Sequence, residues 1–358
     1  MIKDMDTLSY RENYLKAIRF NYPKYIPVTI SVFWPLWNTY REGLEEIAEK
    51  YKLFFPGFKR GSIKYEGKPG IIYVNEYRYD AFKCLWYFNI KGYQGQVVKH
   101  PLDDWKNFRD FQFPDPDEGV PTESNGIIPW EKIFEGMEKA RDEGNLIVAG
   151  MPHGFFFQRL YYLRGFKNLL LDFIYKPPEI YELIKNLTEY NLELVDRYLK
   201  FNGIDFFSFG DDLGMQDRMP ISPKTFREFI FPAYRKIFNK IRERGIDIRL
   251  HSDGHLMEVI DQIIESGANI LNIQDVVNGL KNIKKLIDQG IAIHLDIDRQ
   301  NLIPYGKPEE IEKYIEHVVK ILVSKKGGLL FYAEIHPPTP LENIRALAKA
   351  FEKNIWLN

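Results

Sequence analysis

The sequence predicts an α/β protein folded as a closed (β/α)8 barrel, and three observations carry that expectation. From Asn145 onward, short apolar runs alternate with amphipathic helical stretches, the signature of a parallel sheet with helices outside it. Nearly every apolar run ends in an ionisable or amide side chain, whereas the helix-to-strand turns are plain glycine stops. With the strand at 26–31 there are about seven clear strands and 71–98 could supply one more; an open doubly wound sheet is the alternative, and without a G-x-G-x-x-G or G-x-x-x-x-G-K-[ST] segment a nucleotide site is not supported.

Residues 8–21 place Leu8, Tyr10, Tyr14, Leu15 and Ile18 at helical spacing and predict a first amphipathic helix. Residues 26–31 predict a first buried strand, which leaves through the aromatic Phe33, Trp34 and Trp37. Residues 39–51 predict a helix. Residues 71–98 alternate aromatic and polar with turn glycines at Gly92 and Gly95; they predict strands or a hairpin excursion and are the candidate source of an eighth barrel strand. Residues 101–121, rich in Pro and Asp, predict an irregular surface connection. Strands follow at 146–149, 205–209, 246–250, 269–273, 292–295 and 329–332. Helices are expected at 166–176, 179–201, 223–244, 256–266, 279–289, 308–324 and 341–354. The expectation is one barrel domain over 1–358, with a helical and hairpin extension over about 1–125.

Composition narrows the function. Hydrophobic residues make up 45% of the 358 and charged residues 28%, enough for a large core. A net charge of −1 gives no field for nucleic acid or an anionic membrane. The single cysteine, Cys84, excludes an intrachain disulfide framework or a multi-cysteine zinc site and reads as a packing residue. The polar opening segment lacks the apolar core of a signal peptide, and no apolar run approaches the ~20 residues of a membrane span. A cytoplasmic protein acting on a small molecule is expected, its oligomeric state open.

Chemistry in a barrel gathers where strands end. Those positions hold His153, then Asp211 and Asp212, then His251 and Asp253, then Gln274 and Asp275, then Asp296, Asp298 and Arg299, and last Glu334 and His336. The opposite turns read Asn202-Gly203-Ile204, Arg244-Gly245-Ile246, Ser266-Gly267-Ala268 and Gln289-Gly290-Ile291. This asymmetry points to an active site. Asp211, Asp212 and His153 are the candidate catalytic groups. Trp34, Phe155, Asp275, Arg299 and His336 are the candidate substrate contacts. Several have a second reading: Asp211 or Asp212 as a turn cap, Asp275, like Asp298, as a helix cap or loop anchor, His153 as a histidine near the core, Arg299 as half of an ion pair. His251, Asp253 and Glu334 supply an N,O,O set suited to zinc with an open position; a hydrogen-bonded network without metal is the alternative.

The order of short motifs resembles the uroporphyrinogen decarboxylase superfamily, which includes the cobamide-dependent methyltransferases. The carriers are Tyr10-Arg11-Glu12 with Ala17-Ile18, Pro27-Val28, Leu163-Arg164-Gly165-Phe166-Lys167-Asn168-Leu169, Gly210-Asp211-Asp212-Leu213-Gly214, Ile221-Ser222-Pro223 with Phe226-Arg227-Glu228-Phe229, His251-Ser252-Asp253-Gly254, and Pro340-Leu341-Glu342-Asn343-Ile344. The resemblance spans essentially the whole chain and implies a (β/α)8 barrel with its site at the strand C-termini. The departures point to a diverged member. The arginine-rich segment with which true decarboxylases hold substrate carboxylates has no equivalent in residues 25–40. In register with Thr339-Pro340, the decarboxylases' late histidine and the thiol methyltransferases' last zinc cysteine both fall on Ala333, and the latter's middle cysteine falls on Asp253.

What remains implies a methyltransferase acting on an oxygen- or nitrogen-linked methyl group, with a metal as Lewis acid and a corrinoid carried by a partner protein. Two alternatives stay open: metal-free decarboxylation of a small aromatic or tetrapyrrole-like acid, with Asp211 stabilising positive charge, and a barrel that binds a corrinoid or tetrapyrrole without turnover.

Overall fold

A computed structural model describes residues 8–122 and 126–357. Residues 1–7 of the polar opening segment and 123–125 of the expected extension lie outside the described residues. In chain order the strands are β1 (Val28–Val32), β2 (Tyr73–Tyr79), β3 (Leu85–Ile90), β4 (Gln96–Lys99), β5 (Val120–Pro121), β6 (Ile127–Ile128), β7 (Val148–Gly150), β8 (Phe206–Gly210), β9 (Asp247–His251), β10 (Ile270–Gln274), β11 (Ala292–Asp296) and β12 (Leu329–Ile335). One sheet has seven strands in the order β1-β12-β11-β10-β9-β8-β7. The pairs β1–β12, β11–β12, β7–β8 and β8–β9 are parallel.

The eighth strand of a closed barrel is not among these. Residues 71–98, its expected source, build a separate sheet, β2-β3-β4, in which β3 and β4 run antiparallel. The physical reason is burial. A parallel strand covered on both faces is apolar throughout, whereas Tyr73, Tyr77 and Tyr79 of β2 stand in solvent. Their alternation is that of a half-wet ribbon. No helix among the described residues is long and apolar enough to cross a membrane.

The chain separates into two compact units, one of residues up to 74, 89–94 and 271 onward, the other of 75–88 and 95–270. In the second unit, period-2 alternation gives β8 and β9 two unlike faces. Phe207, Phe209, Ile248 and Leu250 are buried. Phe207 meets Tyr198 of the helix Pro178–Tyr198 edge-on at 5.2 Å, and Phe209 meets Phe238 of the helix Phe231–Arg242 at 4.9 Å. Each such side chain contributes roughly 1.5–3 kcal/mol by leaving water. The other face carries Ser208, Gly210, Arg249 and His251, and Arg249 donates to the Ser208 hydroxyl at 3.0 Å. The expected helix at 223–244 is interrupted. Pro232 has no N–H to donate, and the preceding turn, Phe226–Ile230, is a π-helix in which Phe231 N–H bonds back to Phe226.

Two strand exits in this unit are held together. The Leu213 N–H donates to Ser252 Oγ at 2.9 Å, Gly214 N–H to the Asp253 carbonyl at 3.1 Å, and His255 N–H to the Met215 carbonyl at 2.8 Å. A Cβ on Gly214 would lie 2.5 Å from the His255 nitrogen, and one on Gly254 would overlap the Gly214 backbone. Gly254 also has φ +84°, a conformation that favours glycine. Gly245 has a similar φ of +72° but open space around it. Gly245→Ala should therefore cost about 1–2 kcal/mol for its backbone alone. Gly254→Ala should cost that plus a further ~1–3 kcal/mol for the forced separation. Urea unfolding of the two variants measures the difference; equal losses would mean the two loops are not locked together.

Candidate metal centre

The ends of β7, β8 and β9 bring His153, Asp212 and His251 together. Their ligand atoms all lie within 4.8 Å of one another, and among the described residues this is the group of His, Cys, Asp and Glu placed to hold a metal. His153 Nε2 is 3.2 Å from Asp212 Oδ1, and His251 Nε2 is 3.7 Å from the same oxygen. The Asp253 carboxylate lies 3.7 Å from His251 Nε2, and the Asp253 N–H donates to Asp212 Oδ1 at 3.0 Å. Gly210 leaves room for this arrangement, because a Cβ there would lie 2.6 Å from His153 Cδ2.

Asp212 is the hub, and Gln158 holds it. The Gln158 carboxamide accepts from the Asp212 N–H at 2.8 Å and donates to Asp212 Oδ2 at 3.2 Å. The same amide nitrogen donates to the hydroxyls of Tyr161 and Tyr162. Gln158 and its helix, Phe157–Arg164, escape a reading by periodicity: the helix is buried nearly all round and shows no polar stripe. The available signal was one amide side chain in an aromatic run just after a strand exit. Burial pushes the Asp212 carboxyl upward, but the hydrogen bond and charge of His153, the charge of His251 and the Asp253 N–H outweigh it and hold the group well below the usual carboxylate range. Burial pushes the His251 imidazole below its ordinary value, against Asp253 and Asp212.

Asp211 does different work from its neighbour. It is fully buried, and its carboxylate accepts from the N–H groups of Phe157 at 2.6 Å and Gln158 at 2.8 Å and from the Tyr234 hydroxyl at 2.7 Å. It thus anchors the start of the helix that carries Gln158. Burial lifts its pKa to about 6 even against those hydrogen bonds. Phe155, expected against substrate, packs in the core between Phe209 at 4.8 Å and Tyr234 at 5.1 Å.

The remaining candidates belong to the first unit. Glu334 lies within β12 and on its half-buried face with Tyr332. Its carboxylate is bound by Arg299, lies 3.0 Å from His336 Nε2 and accepts from the Tyr332 hydroxyl at 3.3 Å. Every described partner of Glu334 is thus in this cluster. Arg299 is also 3.2 Å from the buried Asp296, so it is the ion-pair partner of two carboxylates. His336 stacks on Phe33 at 3.9 Å. Asp275 is buried and anchors loops: it accepts from its neighbour Val276, from Asp298 N–H and from the Tyr314 hydroxyl, and burial lifts its pKa to about 6. Trp34 begins the helix Trp34–Tyr40, with Lys91 above its ring at 5.8 Å.

Comparison with known proteins agrees with this architecture. The family described as Uroporphyrinogen decarboxylase (URO-D) matches residues 89–354, most of the chain. Among curated proteins, a uroporphyrinogen decarboxylase from Prochlorococcus marinus is 26% identical over 174 residues, 47% of this chain and 47% of that protein. A methylated-thiol–coenzyme M methyltransferase from Methanosarcina mazei is 27% identical over 133 residues, 36% of this chain and 33% of that protein. The matched stretches therefore span half or less of these relatives, both named as enzymes. Among solved structures, a methyltransferase from Methanosarcina mazei covers 97% of this chain and 99% of its own, with a TM-score of 0.61 at 16% identity, which is a likeness of fold. The chain belongs to the uroporphyrinogen decarboxylase family.

Proposed function

We propose that this chain is a methyltransferase that uses a divalent metal, zinc by preference, held by His153, Asp212 and His251. The convergence of those three ligand atoms within 4.8 Å carries the reading. Zinc ligands at about 2.0–2.2 Å in a tetrahedron stand about 3.3–3.6 Å apart. The separations of 3.2 and 3.7 Å around Asp212 Oδ1 lie within about 0.1 Å of that range on either side. Two imidazoles and a carboxylate are also an accepted zinc donor set. Asp253 stands beside this set, and Glu334, the third ligand expected from sequence, is replaced in our reading by His153 and Asp212 because Arg299 and His336 already bind its carboxylate.

The chain's own residues then have definite tasks. Gln158 fixes the Asp212 carboxylate from behind and leaves Oδ1 toward both imidazoles. Burial keeps His251 neutral at neutral pH, with a lone pair to offer. Asp211 positions the helix bearing Gln158. A bound ion would supply Lewis-acid activation of a methyl donor or acceptor. Methyl transfer is supported by the likeness to a methylated-thiol methyltransferase. A small-molecule substrate, a corrinoid carried on a partner protein and a cytoplasmic setting rest on the sequence resemblance, as does a single (β/α)8 domain over 1–358 with an eighth strand beyond the seven. The decarboxylase reading is weakened because Asp211, the carboxylate it assigned to substrate, is fully buried.

Calorimetric titration of chelator-treated protein with zinc should show one saturable site. His153→Ala and His251→Ala should each weaken it by at least about tenfold, as loss of a ligand or its support does, while Glu334→Gln leaves it near wild type. Dependence on Glu334 without dependence on His153 would restore the His251, Asp253 and Glu334 set. Zinc-loaded protein should demethylate methylcobalamin in the presence of a thiol acceptor; carbon dioxide release from uroporphyrinogen instead would favour the decarboxylase.

The two adjacent aspartates should differ in zinc binding. Asp212→Asn should abolish it outright and, because the histidines and the Asp253 N–H hold that carboxyl low, should also cost stability at neutral pH. Asp211→Asn should lose stability, by about 1–3 kcal/mol, because an amide nitrogen would face a buried N–H donor. A stable Asp211→Asn protein would show that this carboxylate is not the anchor its hydrogen bonds make it.

A further inference from the structure

The second unit holds an open groove of about 540 Å³ beside β7, a size typical of small-molecule sites. β7 is the last strand of its sheet, so one edge of its backbone has no ladder partner among the described residues. The β5–β6 hairpin lines the same groove without pairing to that edge, and Pro121 has no N–H to give it. Ile133 of the helix Trp130–Asp142 adds to the apolar wall. The fold thus leaves apolar surface uncovered: Val148 and Ile128, both on the groove, stay 39% and 43% exposed.

Charge and hydrogen bonding define what fits. No Lys, Arg, Asp or Glu among the described residues lines the groove, so an ion placed there would lose water without gaining a partner. Its polar side chains are Thr122, Tyr198 and His153. The Thr122 hydroxyl donates to the Gly126 carbonyl at 3.1 Å. Burial lifts the Tyr198 phenol well above its ordinary value, against the Gly150 backbone N–H that donates to its oxygen. The phenol is therefore protonated at neutral pH, and with its acceptor side engaged it has that proton to offer a ligand.

We propose that this groove binds an uncharged small molecule with an aromatic or aliphatic body and one acceptor oxygen, to which the Tyr198 hydroxyl donates. The body packs on Ile128, Ile133 and Val148, and a polycarboxylate does not suit this lining. His153 lines the groove and is also a proposed metal ligand, so an occupant lies against the metal centre. The site needs no bound ion and stands apart from the metal reading.

Methyl 2-naphthoate, 2-naphthoate and 2-naphthylmethylammonium share one ring system and differ in charge, so they serve as probes. Their binding to the full, chelator-treated chain is measured by equilibrium dialysis. The ester should bind one-to-one and at least about tenfold tighter than either ion. Ile128→Asp places a charge on the groove at a half-exposed residue that the core does not need, and should weaken the ester by at least about tenfold. Tyr198→Phe keeps the ring that packs on Trp130 and Phe207 and should weaken it about threefold to tenfold, the loss of one hydrogen bond. No saturable binding of the ester, an ion bound as tightly as the ester, or an ester affinity unchanged by Ile128→Asp each overturns the site. An affinity unchanged by Tyr198→Phe overturns the acceptor contact. Zinc titration of the Ile128→Asp protein reports separately on the metal reading, so either can fail alone.

Discussion

The close approach of two strand exits at Gly214 and Gly254 is the constraint on which the candidate centre depends. Neither position has room for a Cβ. Because the two backbones touch there, Asp212 from one exit and His251 and Asp253 from the other arrive within hydrogen-bonding and ligand range. Each residue of the two short motifs then has a physical reason. Gly210 yields to the His153 ring, Asp211 anchors a helix, Asp212 joins the imidazoles, Ser252 accepts the Leu213 N–H, and the two glycines permit the contact.

Electrostatics separates groups that look alike in composition. Asp211 and Asp212 are neighbours, yet one is lifted by burial to about 6 and the other is held low beside two histidines. Asp296 and Glu334 of the first unit both face Arg299, which leaves Glu334 occupied. The metal we propose is accordingly placed at the ends of β7, β8 and β9, beside Asp212 and the two imidazoles.

Much of this was legible in the sequence, and the failures have causes. Alternation marks the parallel strands, and the ionisable residues at their C-terminal ends include His153, Asp212 and His251, whose ligand atoms lie within 4.8 Å of one another. Which of two adjacent aspartates points outward cannot be read from a pattern, because it depends on the turn. The apolar run at 329–332 marks only the start of β12, which continues to Ile335 and places Glu334 in the strand, on the face it shares with Tyr332. Alternation at 71–98 gives the strands of a hairpin excursion, as β2, β3 and β4 show, but period 2 does not say whether the second face is wet and so does not exclude a barrel strand there. Phe157–Arg164 hid its helix, and with it Gln158, because burial on nearly all sides erases the amphipathic signal.

The metal site we propose is built of imidazole and carboxylate without thiolate; the one cysteine, Cys84, is buried beside the Tyr162 carbonyl, its thiol pushed well above the usual range by burial. X-ray absorption at the zinc edge of the loaded protein distinguishes the two donor sets. A first shell of nitrogen and oxygen only, at about 2.0–2.2 Å, with outer-shell scattering from two imidazoles, is expected. A sulfur neighbour at about 2.3 Å, or a shell without imidazole scattering, would contradict it.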